Sequence, residues 1–161
     1  MKIVPYCICL LAALGVPSAY AGLEVRFIQP EHYTDIGDRS DADRILKEFD
    51  QYLNMLGARY LGPRQRLTID ILDIDLAGRV EMLGRQLELI RVLRGRADAP
   101  ALHLRYTLYD GDQLLSTGEE LLTDAMYLEH AASIGADGPL YYEKQLLLDW
   151  FRARFQAPAK D

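Results

Sequence analysis

The chain has 161 residues with 18 Lys and Arg against 24 Asp and Glu, a formal net charge of −6, and 50% hydrophobic residues. That length is one ordinary domain able to bury a core without staples, and the acidic balance excludes general nucleic-acid binding, which needs a basic excess to displace counterions from phosphates. Both cysteines, Cys7 and Cys9, fall before Gly22, so from Gly22 onward disulfides, cysteine nucleophiles and thiolate metal sites are excluded.

The opening "MKIVPYCICLLAALGVPSAYA" places one positive charge, Lys2, before an apolar run through Leu14 and ends in Ala19-Tyr20-Ala21. This is the pattern of a secretory signal peptide, and it predicts that residues 1–21 are cleaved after Ala21 and that the mature protein is periplasmic. The apolar run is too short to cross roughly 30 Å of hydrocarbon, and Gly15 and Pro17 break it, so no membrane span is expected in the mature chain. A single domain is expected over 22–156, with a flexible tail over 157–161.

The mature chain opens on "GLEVRFIQP", where Leu23, Val25 and Phe27 alternate with Glu24 and Arg26 and Pro30 brings a stop; this predicts a half-buried strand. A polar loop, "EHYTDIGDRSD", follows. From Ser40 the spacing becomes helical, with Ile45, Phe49, Leu53, Leu56 and Tyr60 on one stripe, Ser40 and Asp43 resembling a capping box, and Gly62-Pro63 ending the helix. "RLTIDILDIDL", "LELIRVLR" and "ALHLRYTLY" read as strands, and Asp110-Gly111 signals a hairpin into "QLLSTGEELL", in which Gly118 marks a bulge. After Thr123 a long, partly ordered connection is expected, with "DAMYLEHA" able to form a short helix. "LYYEKQLLLDWFRARF" then returns to helical spacing, its Tyr141, Leu147, Trp150, Phe151 and Phe155 forming a core-facing stripe.

Within "IDILDIDLAGRV" the apolar parity switches: Leu67, Ile69 and Ile71 are odd, Leu72, Ile74 and Leu76 even. A bulge at Ile71 and Leu72 restores one apolar face and sends Asp70, Asp73 and Asp75 to the other; a strand buried on both faces over part of its length is the alternative. Asp73 and Asp75 then project from one side, about 7 Å apart along the strand. Three uses fit that spacing. The carboxylates are solvated or paired with arginines, Arg91, Arg94 and Arg105 being the candidates; they chelate a divalent cation with a third oxygen ligand; or they act as an acid and base pair. The corner of Asp73, Asp75, Gly78 and Arg79 is the candidate functional position, because small residues at a strand end mark a turn or a close approach.

No other constellation carries chemistry. His32, His103 and His130 have no metal-ligand spacing, and Ser116 lacks the glycines of a nucleophile elbow. Charge is uneven: no Lys or Arg occurs from Tyr106 to Glu143, whereas Arg79, Arg85, Arg91, Arg94, Arg96 and Arg105 crowd the preceding stretch. Pairing between these neighbouring segments is the expected use of that band.

With "VRFIQPEHYTDI", "LTIDILDIDLAGR", "PALHLRYTLYDGDQLLSTGEELLTDAMYL" and "YEKQLLLDWF" in order, the chain resembles a family of small exported bacterial proteins known only as a domain of unknown function (DUF3016). The most specific parts are Asp73 to Gly78 and the closing Leu147 to Phe151. The resemblance implies compartment and a single domain, not a reaction. The resulting expectation is an α+β domain: a mainly antiparallel sheet of four or five strands with two amphipathic helices on one face. Its expected role is a non-enzymatic binding module for an envelope protein or an anionic envelope component, with no cofactor. The alternative is a small metal-dependent or acid/base hydrolase using Asp73 and Asp75.

Overall fold

The computed structural model describes residues 22–83, 88–130 and 140–155. Four strands, β1 (Gly22–Phe27), β2 (Gln65–Asp75), β5 (Ala101–Asp110) and β6 (Gln113–Thr123), form one sheet in the order β1-β2-β5-β6. A second sheet holds only β3 (Arg79–Leu83) and β4 (Glu88–Val92). Helices α1 (Arg39–Tyr60) and α3 (Tyr141–Arg154) are long, and α2 (Tyr127–His130) is a single turn within the expected connection. The rest of that connection, and the tail, lie outside the described residues.

The α+β expectation holds, with two refinements. The main sheet is mixed, because α1 carries the chain from β1 back to a parallel position beside β2, while β2, β5 and β6 pair antiparallel. The strand in "LELIRVLR" does not extend the main sheet but pairs with β3 as a separate hairpin.

One face of the main sheet supplies Leu67, Ile69, Ile71 and Ile74 from β2 and Leu102, Leu104, Tyr106 and Leu108 from β5. Against them pack Ile45, Phe49, Leu53 and Leu56 of α1 and Leu147, Trp150 and Phe151 of α3, with Phe155 just beyond it. Each fully buried side chain of this size contributes about 1.5–3 kcal/mol of transfer free energy, so this shared core is the main favourable term. Edge-to-face contacts fix the aromatic end, with Tyr106 and Trp150 centroids 5.4 Å apart and Trp150 and Phe155 5.1 Å apart.

The bulge in β2 falls where the parity switches. Register with β5 shifts between Ile71 and Asp73, leaving Leu72 unpaired. The bulge expected at Gly118 is not there: Gly118 pairs regularly with Tyr106, and the β5–β6 shift lies at Leu115. Gly118 serves a different need, because a Cβ there would lie 2.9 Å from the Tyr106 ring. The capping box is also corrected. Helix α1 begins at Arg39, and Asp38 caps it, its Oδ1 accepting from the Asp41 N–H at 3.0 Å.

The other face of the main sheet is open and polar. Arg26, Asp70, Arg105 and Glu119 are successive register partners across its four strands, a row of alternating charge. Arg26 Nε meets Asp70 Oδ1 at 2.7 Å, and Arg105 Nη2 meets Glu119 Oε2 at 2.9 Å. Beside that row lie Thr68, Thr107 and Thr117, the last two 3.3 Å apart.

Candidate functional site

The bulge decides what happens at the Asp73–Arg79 corner. After Phe27 the chain gives one more bond to β2, from Ile28 N–H to Ile71 O at 2.9 Å, and then loops outward through Gln29, which has a positive φ of 51°. It returns at Asp35, whose N–H donates to Ile74 O at 3.0 Å and which bridges Asp75 in parallel. The detour spans the stretch of β2 that the bulge pushes out of register. Its inner anchor is Tyr33, whose hydroxyl donates to Ile71 O at 2.7 Å. Burial pushes that hydroxyl up to about 12, so it remains a donor at any physiological pH.

Asp73 is the outer anchor. Its Oδ1 accepts from the Thr34 N–H at 2.7 Å and the Ile74 N–H at 2.9 Å, and its Oδ2 from the Thr34 hydroxyl at 2.7 Å. Asp75 is different: burial, and then the nearby Asp35 carboxylate, hold its carboxyl above the usual range, with Arg79 and Arg91 opposing. The expected arginine partners are therefore corrected. Arg91 Nη1 bonds Asp35 Oδ2 at 2.8 Å, Arg94 pairs with Glu81, and Arg105 pairs with Glu119 across the sheet. Of these, only Arg105 meets an acid of the Tyr106 to Glu143 segment.

Gly78 turns the chain off the main sheet with φ 79°, a conformation L side chains rarely adopt. Its N–H donates to Asp98 O at 3.0 Å, and a Cβ would sit 2.6 Å from Val92 O and from Leu93 Cδ2. Arg79 opens β3 and is exposed. Asp73, Asp75, Gly78 and Arg79 thus share one corner, where Asp75 feels both charged neighbours, Arg79 stabilising its carboxylate and Asp73 opposing it.

Two residues that sequence reasoning did not single out, Glu143 and Asp98, hold this corner together with Arg91. Glu143 is 3% exposed; its Oε1 accepts the Ala77 N–H at 2.7 Å, tying α3 to the end of β2. Burial holds its carboxyl above the usual range, the Ala77 N–H and the Arg91 guanidinium pulling the other way. Arg91 Nη1 also donates to Ala77 O at 3.2 Å and Gly78 O at 3.1 Å. Asp98 is buried, and it accepts from the Arg94 N–H at 2.8 Å and the Tyr127 hydroxyl at 2.8 Å. Burial and that carboxylate push the Tyr127 hydroxyl up to about 12. A signal for Glu143 exists in the sequence: it lies four residues before Leu147 on the buried stripe of α3, where an acid must find a partner.

Two adjoining clefts open beside the corner. One, of about 540 Å³, runs between the first turns of α1 and α3 and the β3–β4 hairpin, with Arg91 and Glu143 at its base. The other, of about 660 Å³, lies over the detour at Tyr33 to Asp38. Gly37, Asp41 and Val80 line both. The apolar wall of the first is Val80, Ile90 and Leu93, which are 49%, 37% and 38% exposed. Among the described residues no group of three or more His, Cys, Asp or Glu side chains is placed to hold a metal ion, and no helix is long and apolar enough to cross a membrane.

Comparison with curated proteins and with solved structures found no match. A family described as "Protein of unknown function (DUF3016)" matches residues 21–153, which take in the main sheet, the corner and nearly all of α3, and the chain belongs to that family.

Proposed function

We propose that the protein is exported to the periplasm and works there as a non-catalytic binding module, holding a segment of another envelope protein in the cleft beneath the β3–β4 hairpin. Export is supported by the leader pattern of residues 1–21, and the family match beginning at residue 21 leaves the charged start and apolar run outside the shared domain. One observation carries the binding reading. Around the cleft the charged groups are engaged within the chain, Asp35 by Arg91, Glu143 by the Ala77 N–H and Arg44 by Asp41, while Val80, Ile90 and Leu93 face water. Such a wall binds by burying apolar surface. An anionic polymer would need uncommitted cations, so a peptide segment with apolar side chains is the better fit. The hydrolase alternative is not favoured, because both oxygens of Asp73 are occupied by Thr34.

Photoreactive phenylalanine analogues placed at Val80 and at Ile90 in cells test this. The same envelope protein should be crosslinked from both positions and not from Met55, an exposed residue of α1 outside the cleft. Equal adducts from Met55, or none from the hairpin, would remove the binding reading. An unprocessed chain recovered with the cytosol, in place of one beginning at Gly22, would remove the export reading.

A further inference from the structure

The main sheet ends in two edges of unequal character. β1 has 6 residues and lies against α1. β6 has 11 residues and pairs only with β5; among the described residues its backbone makes no hydrogen bond to any other segment. Exposed edges invite pairing with another chain, and proteins usually blunt them with lysine, proline or a bulge. β6, "QLLSTGEELLT", contains no Lys, Arg or Pro, and its bulge at Leu115 sits near one end, leaving the regular run from Ser116 to Thr123.

Its two acids do not guard it either. Glu119 is held by Arg105 at 2.9 Å and His103 at 3.0 Å, and Glu120 by Arg154 at 3.0 Å and the Trp150 indole at 3.3 Å. Both carboxylates are therefore offset by cations of their own chain, and two such edges repel weakly. Between them lies Gly118, and three residues to either side stand Leu115 and Leu121, 45% and 67% exposed.

We propose that β6 pairs antiparallel with β6 of a second copy about a two-fold axis at Gly118. In that register Leu115 of each copy meets Leu121 of the other, so two exposed leucine pairs are buried by one symmetric contact. Thr117 lies opposite Glu119, and the two glycines face each other at the axis. The contact consumes the open edge and doubles the width of the sheet. It leaves the cleft free, since the cleft and β6 share no residue.

The chain from Gly22 to Asp161 is tested by light scattering and sedimentation velocity over a concentration series reaching high micromolar protein. The unsubstituted chain should be a dimer there. Leu121→Lys should raise the dissociation constant about tenfold or more, the equivalent of about 1.4 kcal/mol. Adding Leu115→Glu to that variant should restore the dimer, because the new charges of opposite sign meet across the axis. Leu121 is exposed, so unchanged thermal unfolding of the monomer verifies that only association has been altered. A chain that remains monomeric throughout, a Leu121→Lys variant that dimerises as well as the parent, or a double variant no tighter than Leu121→Lys would each overturn the proposal.

Discussion

Across the open face of the sheet, Arg26, Asp70, Arg105 and Glu119 stand side by side, three of the four largely in water. At the Ala77–Gly78 corner, Asp98 and Glu143 are buried; Glu143 accepts the Ala77 N–H from a segment far away in sequence, and Asp98 accepts the nearby Arg94 N–H and the distant Tyr127 hydroxyl. The residue types are similar, but the physics differs. An exposed ion pair gains little in high dielectric and is screened by salt, whereas removing a buried acceptor leaves its N–H donor unsatisfied at about 1–3 kcal/mol. Charge density along the sequence therefore points to the wrong region. The arginine-rich band is mostly surface, and the fold depends on single acids within apolar surroundings.

The largest effect that would sharpen this contrast is at Gly78. Gly78→Ala places a Cβ 2.6 Å from Val92 O at a φ of 79°. Strain and clash together should lower stability by roughly 3 kcal/mol, read as a shift in the urea midpoint, and a loss below a third of that would show that the corner yields. Glu143→Ala should follow at about 2 kcal/mol, because the Ala77 N–H loses its acceptor.

Glu143→Gln keeps an acceptor and isolates the charge. Because burial raises the native carboxyl above its ordinary 4.5, the Glu143 contribution is complete below about that pH and fades as pH rises through the raised value. The uncharged variant should therefore gain on the parent chain as pH rises above about 4.5 and level off beyond the raised value. A difference in urea midpoint that is constant with pH would contradict it.

Asp73 and Asp75, two residues apart, should respond in opposite directions. Asp73→Ala removes three accepted hydrogen bonds on the Thr34 and Ile74 side and should cost about 1 kcal/mol in this half-exposed setting. Asp75→Asn relieves a carboxyl raised by burial and by Asp35, so it should stabilise slightly at neutral pH and lose that gain in acid. Equal losses from both would return them to the role of a paired site.

How much of this could be read beforehand depends on how local the cause is. The bulge at Leu72 was legible because parity along one strand is a local property, and the stripes of α1 and α3 were legible for the same reason. The parallel placement of β1 was not, since it depends on where α1 returns the chain. Gly118 was read as a bulge because the Tyr106 ring that requires a glycine there lies across the hairpin, out of reach of a local pattern. The partner of Asp73 was missed because Thr34 reaches it only through the detour that the bulge itself creates. The parity switch announced the bulge, but not the loop that would span it.

The smallest effect belongs to the open face. Arg26 and Asp70 are register partners on parallel strands, with side chains 52% and 16% exposed. A double-mutant cycle with Arg26→Ala and Asp70→Ala should give a coupling of about 0.5 kcal/mol that shrinks as salt is added. Should the coupling exceed the loss at Glu143→Ala, or persist undiminished in high salt, the row across the sheet would be a structural element in its own right. The distinction between buried acids and surface pairs would then have to be redrawn around the neighbours that make Asp70 the least exposed member of its pair.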